Sequence, residues 1–175
     1  NGVSAMDLSD PHPNPLPPAR ERVCQRRSSM SLDFGAVIPF VHHLGFTLEK
    51  FEGGESVMHY APRPEHCNSF SVTHGGAVMT FLDVIMATAA RSVQPGMGVV
   101  TIEMKTSFMR PAPASKNGEP LVGQGRLMHR TRSMAFVEGS VFDASGQLCA
   151  HATGTFKYVP PAERPDHTKG PLPTD

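Results

Sequence analysis

A long apolar run from residue 75 to residue 93 constrains the fold more than any other part of this sequence. The run is rich in Ala, Met, Leu, Ile and Phe and is long enough for about five helical turns before the breakers at 94–96. Between Gly75 and Ala90 its only charged residue is Asp83. A helix this apolar is expected to be buried on nearly all sides. The rest of the domain must then be built around it.

Six segments with strand character lie on either side of this helix in the sequence. Residues 46–52 and 55–61 flank Gly53-Gly54, a dipeptide that favours a two-residue hairpin turn, so we expect them to pair antiparallel. After the helix, strands are predicted at 99–109, 121–130, 134–143 and 147–158, the last of which alternates most clearly at period two. One long helix beside six antiparallel strands indicates an α+β fold in which the sheet wraps the helix.

A short helix is predicted to lead into the first strand and to end at Gly45, a helix stop signal. Apolar residues recur there at near-helical spacing: Leu32, Phe34, Val37, Ile38, Val41 and Leu44.

The length of 175 residues fits one compact domain with modest extensions, and we place that domain at 31–159. Residues 1–30 hold five prolines, several arginines and almost no periodic apolar pattern, so we expect a disordered leader that is dispensable for activity. The proline-rich residues 160–175 are expected to form a disordered tail.

Charge and cysteine content exclude several classes of protein. Sixteen Lys and Arg residues balance sixteen Asp and Glu residues, which leaves no positive excess for a nucleic-acid backbone or an anionic membrane. No stretch resembles a membrane span or a secretion signal. The three cysteines show no spacing typical of a disulfide framework or a zinc site. We therefore expect a soluble cytoplasmic protein without a metal and without nucleic-acid or membrane partners.

Asp83 is the first candidate for chemistry. An ionised carboxylate in apolar surroundings is costly unless it is paired or hydrogen-bonded, and such groups are frequent at sites of proton transfer. The alternative is a structural carboxylate, satisfied by a neighbouring hydroxyl or cation or emerging at the edge of the helix.

The segment Thr73-His74-Gly75-Gly76 is the second candidate. With Thr73 as the expected N-cap, the two glycines leave the first turn uncovered, and its N–H groups have no intrahelical partner. Such donors can hold the negative oxygen that develops when a thioester or ester carbonyl is attacked. The alternative is that the glycines only permit close packing of the helix against the sheet.

The spacing of the two candidates points to more than one chain. Gly75 and Asp83 are eight residues apart, which is about 12 Å along one helix. If they cooperate, the site must combine the helix start of one subunit with the helix middle of another, as a symmetric dimer would permit.

The combination of these residues resembles a known family. Asn68, His74-Gly75-Gly76 and Asp83, followed by the segments 101–112 and 146–156, are similar to the hotdog-fold acyl-CoA thioesterases, and in particular to the PaaI-like group. The resemblance covers about residues 35–158. It implies a long helix wrapped by a six-stranded antiparallel sheet, and dimers whose sheets join and which often pair into tetramers.

The resemblance also implies a role for each residue. Asp83 would be the general base or the nucleophile, and Gly75 would donate its N–H to the thioester carbonyl, with His74 helping to orient it. Asn68 would position the attacking water. Thr101 would hydrogen-bond the water or the carboxylate. No cofactor is needed, because coenzyme A is part of the substrate.

Substrate contacts are predicted from residue type and position. Arg130 and Arg132 are candidates for the phosphates of coenzyme A, although a solvated charged edge is the alternative. Gly76 would also contact the substrate. Flexible or aromatic side chains could line an acyl pocket or simply pack in the core: Met79, Phe81, Met86, Phe108 and Met134.

Two other functions compete with thioester hydrolysis as interpretations of the sequence. A non-catalytic acyl-CoA-binding module or sensor could use the same fold, but the leader has no helix-turn-helix pattern for an output domain. A hotdog hydratase would need an Asp-x-x-x-x-His arrangement that is not evident. An acyl-CoA thioesterase is the preferred hypothesis.

Overall fold

A computed structural model describes residues 32–34, 37–115 and 118–160. The leader expected at 1–30 and nearly all of the tail expected at 160–175 lie outside these residues, so both stay predictions. The elements in chain order are α1 (Pro39–Leu44), β1 (Thr47–Glu52), β2 (Glu55–Tyr60), a 3₁₀ turn (Pro64–His66), α2 (Gly75–Arg91), β3 (Gly98–Phe108), β4 (Leu121–Arg130), β5 (Met134–Phe142) and β6 (Leu148–Val159).

The six strands form one antiparallel sheet in the order β1-β2-β4-β5-β6-β3, and α2 packs across it. The α+β fold predicted from the sequence is confirmed, with the strands and the long helix within two residues of their expected bounds. Gly53 and Gly54 turn the β1–β2 hairpin at φ 62° and 86°, the conformation that this tight turn requires and that glycine adopts without strain.

The lead-in segment differs from the expectation. The helix predicted from Leu32 onward begins only at Pro39, and Leu32 instead forms a single antiparallel bridge with Leu48 on β1. Proline fits the first helical position, and it holds the residue before it out of the helical region, as Ile38 shows with φ −119° and ψ 96°. The helix ends at Gly45, which caps it at φ 76° as expected.

Glycines on the inner face of the sheet allow α2 to lie close to it. A Cβ atom built on three of them would come too near to α2: 2.0 Å from Ile85 at Gly123, 2.7 Å from Ile85 at Gly125 and 2.9 Å from Met86 at Gly139. Because the helix approaches this closely, the Ser56 hydroxyl donates a hydrogen bond to the Ile85 carbonyl at 2.7 Å. The fully buried helix residues Phe81, Leu82, Ile85 and Met86 then fill the core.

Among the residues that the structure describes, nothing covers one face of α2, so the expectation of burial on nearly all sides is wrong for this part of the chain. Gly76 and Met79 are exposed, and Thr80, Asp83 and Val84 are partly exposed. The sheet covers one side of the helix, and on the other side Phe40 and Val41 of α1 line a pocket together with residues of α2. Asp83 therefore lies on an accessible face and not in the interior.

Within the described ranges, none of the helices is both long and apolar enough to cross a membrane.

Candidate active site

Asp83 and Thr101 meet in the space between α2 and β3. The Thr101 hydroxyl donates a hydrogen bond to Asp83 Oδ1 at 2.7 Å. Thr101 faces the helix because its partner across the sheet is the buried Phe156, and paired residues share a face. In the part of the chain that the structure describes, no cation pairs with this carboxylate and no donor contacts its second oxygen. Oδ2 is thus open to a further hydrogen-bonding partner such as water.

The cap of α2 is His74 and not Thr73, which corrects the sequence-based expectation. His74 Nδ1 accepts a hydrogen bond from the Gly76 N–H at 2.9 Å, while the Thr73 hydroxyl donates to the Pro113 carbonyl at 3.1 Å. The β-bridge pairing of the segment before the helix directs Thr73 towards Pro113 and leaves His74 at the helix start. Because Nδ1 acts as an acceptor, its neutral ring carries the hydrogen on Nε2. The exposed His74 can therefore donate a hydrogen bond outward.

Gly75 supplies the unpaired donor at the start of α2. The Gly76 N–H is used by His74, so it is less available to a substrate than the sequence suggested. The Gly75 N–H has no acceptor among the residues that the structure describes. The Phe108 ring lies beside it, since a Cβ atom at Gly75 would be 3.6 Å from that ring. The site thus offers a backbone donor at the positive end of a helix, next to an apolar wall.

Asn68 closes the loop that leads into α2. Its Oδ1 accepts a hydrogen bond from the Phe70 N–H at 2.9 Å, and its own N–H donates to the Val72 carbonyl at 2.9 Å. The loop holds Ser71 at φ 58°, an unusual conformation for a residue other than glycine. With Oδ1 engaged in the loop, the side-chain NH₂ of Asn68 is the part of this residue that can donate to a substrate or water.

The predicted site residues therefore form two groups. His74 and Gly75 lie at the start of α2, where the Asn68 loop delivers the chain, and Asp83 and Thr101 lie further along the helix. Eight residues of helix separate the groups by about 12 Å along the axis. The single chain does not bring them together.

An open pocket of about 400 Å³ adjoins Asp83. Its lining includes Met79, one of the expected substrate contacts, and also residues that the sequence did not suggest, such as Phe40 on α1 and Met104 on β3. Met86, by contrast, is fully buried against Gly139 and Gly154 and does not reach the pocket. Phe81 is also fully buried. Only the packing of α1 against α2 reveals the pocket, because local sequence spacing does not show which elements adjoin.

Arg130 and Arg132 are exposed at the end of β4 and in the turn that follows. A continuous row across the sheet joins Arg130 to Thr101 through Ala135 and Phe156, which separates their backbones by three strand spacings, or about 14 Å. Their contact with coenzyme A stays a prediction.

Among the residues that the structure covers, no three His, Cys, Asp or Glu side chains gather closely enough to hold a metal ion.

Comparison with known proteins identifies the family. The sequence model of the thioesterase superfamily matches residues 70–150, which include His74, Gly75, Asp83 and Thr101. An esterase candidate from Saccharolobus solfataricus is 30% identical over 105 residues, which cover 60% of this chain and 72% of that protein. The chain belongs to the thioesterase superfamily.

Two further relatives agree with this thioesterase assignment. Human acyl-coenzyme A thioesterase 13 is 27% identical over 110 residues, which cover 62% of this chain and 76% of that protein. The solved structure of a thioesterase candidate related to phenylacetic acid degradation, from Ralstonia eutropha, is 27% identical with a TM-score of 0.63, and the match covers 70% of this chain and 92% of that one. The hotdog fold and the PaaI-like type expected from the sequence are confirmed, and this thioesterase is a thioester hydrolase.

Proposed function

We propose that this thioesterase hydrolyses acyl-CoA thioesters at a site shared by two copies of the chain. The observation that carries the proposal is the Asp83 carboxylate, which is held at one oxygen by Thr101 and is open at the other on the accessible face of α2. Acyl-CoA is the proposed substrate because the human relative is named for that activity. The free N–H of Gly75 is the second component.

The reaction follows from these two groups. Asp83 Oδ2 accepts a proton from water as the water oxygen bonds to the thioester carbonyl carbon. The carbonyl electron pair moves to oxygen, and the resulting oxyanion accepts a hydrogen bond from the Gly75 N–H. When the tetrahedral intermediate collapses, the C–S bond breaks and the CoA sulfur takes the proton from Asp83. The products are a carboxylic acid and the thiol of coenzyme A, and Asp83 returns to its ionised form.

A second route uses Asp83 as the nucleophile. Oδ2 would attack the carbonyl carbon and expel CoA thiolate, forming a mixed anhydride that water then hydrolyses. Label found in Asp83 after a single turnover in ¹⁸O-labelled water would establish the anhydride route. The general-base route places the label only in the released acid, whereas water attack at the Asp83 carbonyl of an anhydride labels the protein.

Assistance from His74 and Asn68 is part of the proposal. His74 would donate a hydrogen bond from Nε2 to the substrate carbonyl oxygen or to a group beside it. Through the hydrogen bond that its Nδ1 accepts from the Gly76 N–H, it would also hold the first turn of α2 in place. The Asn68 NH₂ would hold the attacking water, since its oxygen is already engaged in the loop.

A dimer would complete the site. The edge strand β3 carries exposed apolar side chains at Val100, Ile102 and Phe108, and the neighbouring face of α2 exposes Met79. Unpaired edge strands invite pairing with another chain. Two copies related by a two-fold axis would place their α2 helices antiparallel, so that Gly75 of the partner subunit approaches Asp83. Pairing of such dimers into a tetramer is a further expectation.

The rest of the substrate and the location of the protein remain predictions. Arg130 and Arg132 are the proposed contacts for the CoA phosphates, and their exposure leaves both guanidinium groups accessible. We expect the enzyme to act in the cytoplasm.

The central experiment measures thiol release from short, medium, long and aromatic acyl-CoA substrates by wild-type protein and by Asp83→Asn. The amide keeps the shape of the side chain but removes the base, so kcat should fall by about 10²- to 10⁴-fold. Glu52→Gln is a matched control, because it makes the same carboxylate-to-amide change at an exposed position on β1. An Asp83→Asn enzyme within about twofold of wild type would refute the base assignment. Tight binding of every acyl-CoA without thiol release would instead favour the acyl-CoA-binding module.

A further inference from the structure

The pocket beside Asp83 has one wall that comes from outside the helix and the sheet. This wall is formed by α1, which contributes Phe40 and Val41, together with Ile38, the residue before the helix. Val41 is buried at 3% exposure and anchors the wall, whereas Phe40 is 57% exposed. The wall therefore has a buried aliphatic side chain that anchors it and an accessible aromatic side chain.

Several contacts hold α1 in position. Val41 and Leu44 are part of the hydrophobic core, and the Arg63 guanidinium donates a hydrogen bond to the His43 carbonyl at 2.9 Å. Further back along the chain, Arg91 at the end of α2 donates to the Phe34 carbonyl at 3.2 Å. The core contacts and the Arg63 hydrogen bond hold the backbone of α1, which carries Phe40 at the pocket.

The lining indicates the chemistry of the occupant. Thr80 and Asp83 are the polar members of the eight lining residues, and none of the eight is a cation. The volume of about 400 Å³ lies in the lower part of the range for small-molecule sites. Asp83 belongs to this lining, which is mostly apolar and offers no cation for the phosphates of coenzyme A, so the pocket suits the acyl group better than the CoA portion of a thioester held at the carboxylate.

We propose that α1 is the specificity wall for the acyl group and that Phe40 sets the size of the uncharged apolar chain or ring that the enzyme accepts. This inference rests on the proposed function of Asp83. An acyl group that ends in a free carboxylate is disfavoured, because that charge would share with Asp83 a pocket whose lining offers no cation.

Substitutions of Phe40 test the size limit in both directions. Phe40→Ala removes the ring and should raise the ratio of kcat/KM for dodecanoyl-CoA to that for hexanoyl-CoA by at least about tenfold, whereas Phe40→Trp should lower it. His42→Ala is the matched control, since His42 is exposed on the same short helix but does not line the pocket. Its ratio should stay within about twofold of wild type. Unchanged ratios in both Phe40 variants would overturn the inference.

A second comparison tests the charge of the acyl group. Hexanoyl-CoA and adipoyl-CoA have the same chain length, but the adipoyl group ends in a carboxylate. Wild-type kcat/KM should be at least about tenfold lower for adipoyl-CoA. Equal turnover of the two substrates would contradict the proposed lining.

Binding measurements keep this inference distinguishable from the proposed function. Hexyl and dodecyl thioethers of coenzyme A have no carbonyl to attack, so their affinities report the pocket without hydrolysis. The ratio of their dissociation constants should shift in Phe40→Ala in the same direction as the kinetic ratio. If the protein hydrolyses no thioester but this shift occurs, the wall is correct and the enzymatic proposal fails. If the protein hydrolyses acyl-CoA but the ratio of dissociation constants does not shift in Phe40→Ala, the enzymatic proposal stands and the proposed role of Phe40 fails.

Discussion

Thr101 donates its hydroxyl hydrogen to Asp83 Oδ1 at 2.7 Å, across the space between the edge strand β3 and the open face of α2. The bond fixes one oxygen of the carboxylate and leaves the other accessible. It also links the candidate base to β3, the strand at one edge of the described sheet. A partner that covers β3 would therefore lie close to the carboxylate as well.

Replacement of Thr101 tests its role as a positioning residue. Thr101→Val keeps the shape of the side chain but removes the donor, so the carboxylate is no longer held and kcat should fall by about tenfold, with little change in KM. Thr101→Ser restores the hydroxyl and should recover most of the activity. Steady-state thiol release measures both quantities. A Ser variant as slow as the Val variant would show that the hydroxyl is not what matters.

Gly75→Pro removes the proposed oxyanion donor with little disturbance to the helix. Proline suits the first position of a helix, and His74 before it has φ −59° and ψ 138°, which a following proline permits. We expect kcat to fall by about 10²- to 10³-fold, while the helix content measured by circular dichroism is kept. Gly75→Ala retains the N–H, and its methyl group would meet Phe108 at 3.6 Å, an ordinary contact. It should therefore stay much more active than the proline variant.

Mixed dimers test whether the site is shared. When Asp83→Asn and Gly75→Pro chains are unfolded together and refolded, half of the dimers are mixed, and each mixed dimer has one site with an intact Gly75 and an intact Asp83. Activity should return to about a quarter of wild type. The two variants refolded separately and then assayed together, without exchange, provide the control. If verified mixed dimers recover no activity, the Asp83 and Gly75 that act together must belong to the same chain.

Gly125→Ala should destabilise the fold. The added methyl carbon would lie 2.6 Å from the Ser56 hydroxyl and 2.8 Å from the Ile85 carbonyl, so α2 would have to move away from the sheet. Overpacking of this kind costs about 1–3 kcal/mol. Gly96→Ala is the control, because a Cβ atom there has nothing within 4 Å. Urea unfolding at one fixed protein concentration should separate the two variants, and equal midpoints would contradict the close packing.

The pH dependence of stability should reflect His66. Burial, with the Arg63 guanidinium and His43 nearby, lowers the pKa of His66 below its ordinary value of 6.5, and the opposing effect of Glu65 is smaller. The unfolded chain then binds a proton at this ring more readily than the folded chain does. The free energy of unfolding should therefore fall as the pH decreases below 6.5, until the pH passes the folded-state pKa.

Substitution isolates this contribution from that of the acidic residues. His66→Phe removes the titrating ring but keeps an aromatic group against Tyr60, whose ring centre is 5.7 Å from that of His66. Denaturant unfolding at a series of pH values should show a weaker loss of stability in this variant below 6.5. If the free energy of unfolding of His66→Phe falls with decreasing pH as steeply as that of wild type, His66 is not the cause of the pH dependence.

Local patterns in the sequence were enough to predict the helices and strands that have a regular period. The alternation in β6, the glycine pair between β1 and β2 and the apolar run of α2 each depend on near neighbours in the chain. Pro39 shows where such reasoning is incomplete, because the apolar spacing continues back to Leu32 while the backbone restriction before proline delays the helix. The glycines at 123, 125 and 139 are likewise visible in the sequence, but only the position of α2 explains them.

The sequence by itself determined the α+β fold class and the residue types of the candidate site, including Asp83 and the glycines that open α2. The tertiary structure decided that His74 caps the helix, that Asp83 lies on an accessible face, and that α1 closes one side of the pocket. The reason is physical: helix and strand periods arise between residues a few positions apart, whereas the Thr101–Asp83 bond joins residues 18 positions apart. Contacts of that range exist only once the sheet has packed against the helix.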